Sequence, residues 1–216
     1  MKYKLSTNGN QIHDSAIIHK GAELGSNNVI GPYCIIYDDV KLGSNNVILS
    51  HTSIGSPPEH KEAIKNNKFF PVIIGDNNRF NEFVTVNSGA FQNTVIGNDC
   101  FFLRGSHIGH DCVLGNGITV SCNSLIGGHS IIDDYANLGL GCICHQFTYI
   151  GKGSMIGMGG IVTKNKEILP FAIYVGNPVV YLKKNIYLIN KHNITDEQLL
   201  KESSIYFENL HGLQNK

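Results

Sequence analysis

Residues 96–138 read IGNDCFFLRGSHIGHDCVLGNGITVSCNSLIGGHSIIDDYANL, with a large hydrophobe at every sixth position: Ile96, Phe102, Ile108, Leu114, Val120, Ile126, Ile132 and Leu138. The series continues through Cys144, Ile150, Ile156, Val162 and Ile168, thirteen consecutive hits among which Cys144 alone is not a large hydrophobe. Working outward, the same period runs from Ile12 through Ile18, Leu24, Ile30, Ile36, Leu42 and Ile48 to Ile54, and again over Ile74, Phe80 and Val86. The fourth residue after each hydrophobe is often small: Ala16, Ala22, Cys34, Thr52, Cys100, Ser106, Cys112, Ser124, Ser130, Ala136, Cys142, Ser154. Such a repeat is one turn-sized unit that cannot bury its own apolar side, and stacked copies bury a continuous column. The reading is a coil of three flat faces, six residues each. The aliphatic fills the centre, and the small residue fits where two faces converge. Glycine often follows the hydrophobe (Gly25, Gly109, Gly115, Gly127, Gly157), and together with asparagine it is expected to supply positive-φ turn conformations. Coils would pair as parallel strands about 4.8 Å apart.

The phase slips twice. Between Ile54 and Ile74 lies a polar, proline-bearing excursion (about 55–73), and between Val86 and Ile96 a shorter one, NSGAFQNTV. Stacked coils accept insertions only on their outside, where binding function collects, so both are expected to face substrate. After Ile168, a proline and the Gly-Asn-Pro turn end the repeat. The chain therefore divides into a solenoid over 1–178 and a C-terminal helical appendage over 179–216. In the appendage Thr195-Asp196-Glu197-Gln198 fits a capping box.

The 17 basic and 17 acidic residues balance, and no basic run offers a nucleic-acid footprint. There is no apolar leader and no segment approaching 18 apolar residues, so the expected location is cytoplasmic with no membrane span. Six cysteines do not imply disulfides in that compartment, and Cys34, Cys100, Cys112 and Cys142 fall in the small interior slot.

Four of the ten histidines, His107, His110, His129 and His145, crowd one region, and coil arithmetic brings them towards one edge of the stack. Zinc binding by a His-x-x-His pair is one reading, but Cys112 and Cys142 point inward and no metal is expected. Ordinary turn histidines and a cysteine nucleophile are others. A histidine general base, His110, oriented by the adjacent Asp111, fits best.

The hexads resemble those of the hexapeptide-repeat acyltransferases, and GSHIGHDCVLGN (105–116), SLIGGHSIIDDYANLG (124–139) and CHQFTYIGKGSMIG (144–157) resemble most nearly the UDP-N-acetylglucosamine O-acyltransferases of lipid A biosynthesis. The likeness reaches back to residues 12–36 and forward through Gly176-Asn177. It implies a left-handed parallel β-helix, an all-β solenoid, assembled as a homotrimer with sites between subunits. It implies His110 as base, Asp111 as its orienting partner and the Gly128 N–H as oxyanion donor. His107, His129 and Gln146 would contact the sugar or its phosphates, and His145 would line the site. No cofactor is implied beyond the acyl-CoA or acyl carrier protein that serves as donor.

The departures bear on substrate. His60 and Glu62 stand roughly where that family carries an Asp and a Lys that grip the acceptor, and the C-terminal region is about half as long. Chemistry retained with substrate altered points to acylation of a nucleotide-linked sugar, chiefly the amine of a dTDP- or UDP-amino sugar for bacterial surface polysaccharide. The alternative is the lipid A reaction on UDP-N-acetylglucosamine. From other classes, a non-catalytic scaffold or a γ-type carbonic anhydrase would share the architecture.

Overall fold

The computed structural model describes residues 3–214, with side-chain surroundings as far as Leu210. Short strands recur every six residues, and each pairs in parallel with the strand one coil on: Val29 with Val47, His107 with Leu125, Val113 with Ile131. They form three sheets of 11, 8 and 7 strands, the faces of a left-handed parallel β-helix. Within each two-residue strand the second side chain enters the centre. Ile30, Ile36, Ile48, Ile54, Phe80, Phe102, Ile108 and Ile126 are fully buried there, each contributing about 1.5–3 kcal/mol of apolar burial. Phe80 and Phe102, one coil apart, stack at 4.8 Å. The cysteines and serines of the fourth position and Ala136 are buried at the corners, with Ala16 and Ala22 partly buried in the first coil.

The positive-φ residue is generally the third after the aliphatic rather than the glycine directly behind it, Gly55 at 87° being an exception. Asn27, Asn45, Asn77 and Asn123 have φ between 57° and 59°, but so do bulkier residues, with Tyr33 at 58°, Asp111 at 62° and His129 at 61°. For a residue with a side chain this conformation costs about 1–2 kcal/mol. It is offset by a hydrogen bond to the coil below; the His129 N–H, for example, donates to the His110 carbonyl at 2.9 Å. The glycine directly after the aliphatic has another reason. A Cβ on Gly109 would stand 2.7 Å from the backbone nitrogen of Gly128, and one on Gly25 2.7 Å from the carbonyl carbon of Gly43. Close approach of coils demands it.

Register dates the two insertions. Ile48 pairs with Phe80, 32 residues on rather than 18, so fourteen extra residues are looped out. Phe80 pairs with Phe102, 22 on, so the second insertion adds four. The longer one contains a helix, α1 (Lys61–Asn66), capped by His60.

Past the turn at 176–178 the solenoid sheet continues. The strand Val179–Lys184 folds back antiparallel on Ala172–Gly176, so the helical appendage starts later than residue 179. It comprises α2 (Ile186–Lys191) and α3 (Asp196–Gln214). The capping box is formed, with the Gln198 N–H donating to Thr195 Oγ1 and the Thr195 N–H to Gln198 Oε1. α3 lies on the outer face of its own last coils. Tyr206 stacks on Tyr149 at 4.7 Å, and its hydroxyl accepts the Ile168 N–H at 2.8 Å.

Candidate active site

Residues 111, 129 and 147 occupy one corner of three successive coils, all at positive φ. Asp111 is buried, and its Oδ1 accepts three backbone N–H groups, from Ala90 at 3.0 Å and from Phe91 and Gln92 at 2.8 Å. The four-residue insertion is therefore a cradle for the carboxylate. Gln92 also donates its side-chain amide to the Asp111 carbonyl, and the Asp111 N–H donates to Thr94 Oγ1.

Burial pushes Asp111 towards neutrality. Hydrogen bonds from His110, Gln92 and Phe91, with the attraction of His129, more than reverse this and hold its pKa below the ordinary aspartate value. An ionised carboxylate can only accept hydrogen bonds. His110, whose Nδ1 lies 2.7 Å from Asp111 Oδ2, must then carry its proton on Nδ1. That leaves Nε2 with a lone pair, the arrangement of an oriented general base. His129 Nε2 stands 3.4 Å from the same Oδ2, and its ring lies flat on Phe147 at 4.4 Å.

Gly128 packs directly against the base. A Cβ there would stand 2.8 Å from both Cε1 and Nε2 of His110. The Gly128 carbonyl accepts the Phe147 N–H at 3.0 Å, whereas its own N–H is spent on no backbone carbonyl among the described residues. An open cavity of about 390 Å³ is lined by His110, Gly128, His107, Gln146, Glu59 and Asn87, with Leu125 and Ile143 as an apolar wall. His107 is anchored through Nδ1 to Thr85 Oγ1 at 2.8 Å. Burial lowers its pKa; Glu59 pulls the other way and His110 adds to the depression.

Three expected contacts are located elsewhere. His145 is absent from the cavity lining and faces its own chain, with Nδ1 2.8 Å from the Gln146 carbonyl. His129 stands on the carboxylate side of the dyad, outside the cavity lining. His60 caps α1 through Nδ1 and sets its ring edge-on to His110 at 5.7 Å; the preceding residue, Glu59, reaches the cavity. Glu59 and the 90–92 cradle are the residues around this site that sequence reading missed. The only hint of the first was an acidic residue beside His60, and the second carries no side-chain signal at all.

His110, Asp111 and His129 also bring three potential ligand atoms within 4.8 Å of one another. The 2.7 Å contact between two of them is a hydrogen-bond distance, whereas two ligands each about 2.0–2.2 Å from a tetrahedral zinc lie farther apart. The interior thiols are no nucleophiles: burial raises Cys100 to about 11 and Cys112 to about 12. A larger cleft of about 600 Å³, between Thr119, Asn137 and Met155 on one sheet and Leu188, Lys191 and His192 beside it, holds none of the expected site residues.

The bacterial transferase hexapeptide (six repeats) model matches residues 21–56 and 93–128. An acyl-[acyl-carrier-protein]–UDP-N-acetylglucosamine O-acyltransferase of Sinorhizobium fredii is 36% identical over 199 residues, covering 82% of this chain and 72% of its own length. The enzyme of the same name from Aliarcobacter butzleri is 36% identical over 198 residues, covering 82% of this chain and 75% of its own. The crystal structure of a UDP-N-acetylglucosamine acyltransferase from Bacteroides fragilis superposes with a TM-score of 0.74 at 29% identity, over 90% of this chain and 83% of that one. No helix among the described residues is long and apolar enough to cross a membrane. The chain belongs to the UDP-N-acetylglucosamine O-acyltransferase family of hexapeptide-repeat enzymes.

Proposed function

We propose that this chain transfers an acyl group from an acyl carrier protein thioester to a hydroxyl of UDP-N-acetylglucosamine, as its relatives' names describe. The observation that carries the reading is the 2.7 Å contact from His110 Nδ1 to a carboxylate already held by three backbone N–H groups. That contact leaves Nε2 to take the proton of the acceptor hydroxyl as its oxygen attacks the thioester carbonyl. The oxyanion forms next to the Gly128 N–H, a fixed donor of the kind that supplies a large share of acyl-transfer catalysis. Collapse breaks the carbon–sulfur bond, and the His110 imidazolium returns its proton to the leaving thiolate. Leu125 and Ile143 offer the acyl chain an apolar wall.

The amino-sugar acceptor expected from the altered loop has less behind it, since the relatives are named for O-acyl transfer to UDP-N-acetylglucosamine. The active unit is a homotrimer in the cytoplasm, in which a neighbouring subunit closes the open side of the cavity. Glu59 and His107 contact the acceptor, and Gln146 completes the same wall.

The deciding experiment is thioester cleavage with 3-hydroxyacyl carrier protein and UDP-N-acetylglucosamine, run beside acetyl- and 3-hydroxybutyryl-CoA with dTDP- and UDP-amino sugars. Turnover with the first pair, lost by about 10²–10⁴-fold in His110→Ala, is expected, from a preparation sedimenting at three chain masses. Turnover of an amino sugar alone would return the N-acyl reading.

A further inference from the structure

We infer that His129 is a positioning residue for the base, acting through the Asp111 carboxylate that it shares with His110. The inference rests on the reading of His110 as the base. Asp111 divides its two oxygens between two kinds of partner. Oδ1 is taken up by the backbone N–H groups of Ala90, Phe91 and Gln92. Oδ2 faces two imidazoles, His110 Nδ1 at 2.7 Å and His129 Nε2 at 3.4 Å. The two rings meet edge to face at 5.0 Å.

His129 is held where it stands. Its backbone N–H is bonded to the His110 carbonyl, its ring is flat on Phe147, and Phe91 of the carboxylate cradle lies 5.8 Å away. A side chain so confined, and absent from the cavity lining, is placed to act on the carboxylate. An imidazole this close to Oδ2 has two consequences. It confines from a second side the oxygen that already meets His110 Nδ1. It also offsets part of the negative charge that Oδ2 presents to His110. Because His110 and His129 draw on one oxygen, their effects must be coupled rather than additive.

The other titratable groups around His110 are His60, ring to ring at 5.7 Å, and His107, Glu59 and Cys144, which line the same cavity. Burial keeps Cys112, in the neighbouring interior slot, neutral, and a hydrogen bond with Cys142, together with burial, does the same for Cys144.

The test uses His129→Gly, which suits the positive φ at that position, and His129→Gln, which keeps an N–H donor. Each is made alone and with Asp111→Asn. The His110 titration midpoint is read by imidazole ¹⁵N NMR on the full chain without substrate, and kcat and acceptor KM are read against pH in the thioester assay. His129→Gly is expected to raise the His110 midpoint and to lower kcat severalfold below about pH 7 with acceptor KM unchanged. His129→Gln should restore the midpoint towards the parent, and in the Asp111→Asn background neither change should move it. A raised acceptor KM with an unmoved midpoint would make His129 a substrate contact instead. A midpoint that shifts as far without the Asp111 carboxylate as with it, or a glutamine that behaves as glycine does, would equally overturn the inference. Since the midpoint needs no substrate, a chain inactive on every proposed donor would refute the function and leave this coupling standing.

Discussion

The Gly128 Cα hydrogens face the imidazole of His110 at a separation that no methyl group fits, since a Cβ would stand 2.8 Å from Nε2. The base cannot retreat, because Asp111 holds its other nitrogen at 2.7 Å. Gly128→Ala is therefore expected to push the ring or the 127–128 backbone by a large fraction of an ångström and to lose on the order of 10²-fold or more in kcat. A thermal melt near the parent's would show that the loss is one of alignment. Retention of more than a third of parental kcat would mean that Nε2 is not where the proton is taken. His107 and His110 stand three residues apart, yet their attachments differ in kind. A threonine hydroxyl anchors His107, whereas His110 is anchored by a carboxylate. Only the second partner stabilises an imidazolium, which suits His110 rather than His107 to the proposed role of base.

At the scale of elements, the corner between two sheets in the first half of the solenoid is built by an asparagine ladder. The Oδ1 of Asn10 accepts the N–H of Asn28, that of Asn28 the N–H of Asn46, that of Asn46 the N–H of Asn78, and that of Asn78 the N–H of Cys100, each at 2.8 Å. The amides donate in turn to Gly25, Gly43, Gly75 and Gly97 carbonyls. Asn28, Asn46 and Asn78 are the second residues of Asn-Asn pairs, and Asn10 follows Gly9. The first residue of each pair supplies the positive φ; the second is buried and bonds the coils together. Asn46→Ala strands the Asn78 N–H and the Gly75 carbonyl in a dry corner, at about 1–3 kcal/mol for each unsatisfied group. The expected outcome is a melting temperature lower by roughly 5–15 °C with kcat unchanged, since the dyad lies several coils away. A shift under a degree would mean that water or a neighbouring side chain replaces the amide. The ladder was half legible: the doublets announce turns, while the burial of one partner needs the coil register to be known.

Across the whole molecule, acid stability follows from two groups of the site. His107 has a depressed pKa, so the folded state prefers its neutral form. Its contribution is complete above the ordinary histidine value of about 6.5 and is lost as pH falls through the lower folded value. Asp111, also depressed, loses its contribution only in the range below the ordinary aspartate value. Asp133, raised by burial, works in the opposite sense where it takes up its proton. The melting temperature should therefore decline from pH 7 towards pH 5, and His107→Gln should flatten the upper part of that decline; an unchanged slope would remove His107 as its source. The sequence alone determined the coil, its three faces, its core and the two breaks, because a hexad repeated along most of the chain states the same short-range steric demand at every turn. It also singled out His110, Asp111 and Gly128, through a motif that lies on two adjacent coils. Only the tertiary structure decided that Phe91 and its neighbours cradle Asp111, that Glu59 rather than His60 reaches the cavity, and that His129 turns to the carboxylate while His145 faces its own backbone. Each of those outcomes depends on a contact between an aperiodic insertion and a coil some twenty or more residues away, or on which way one ring rotates at a corner. A six-residue period carries no information about either.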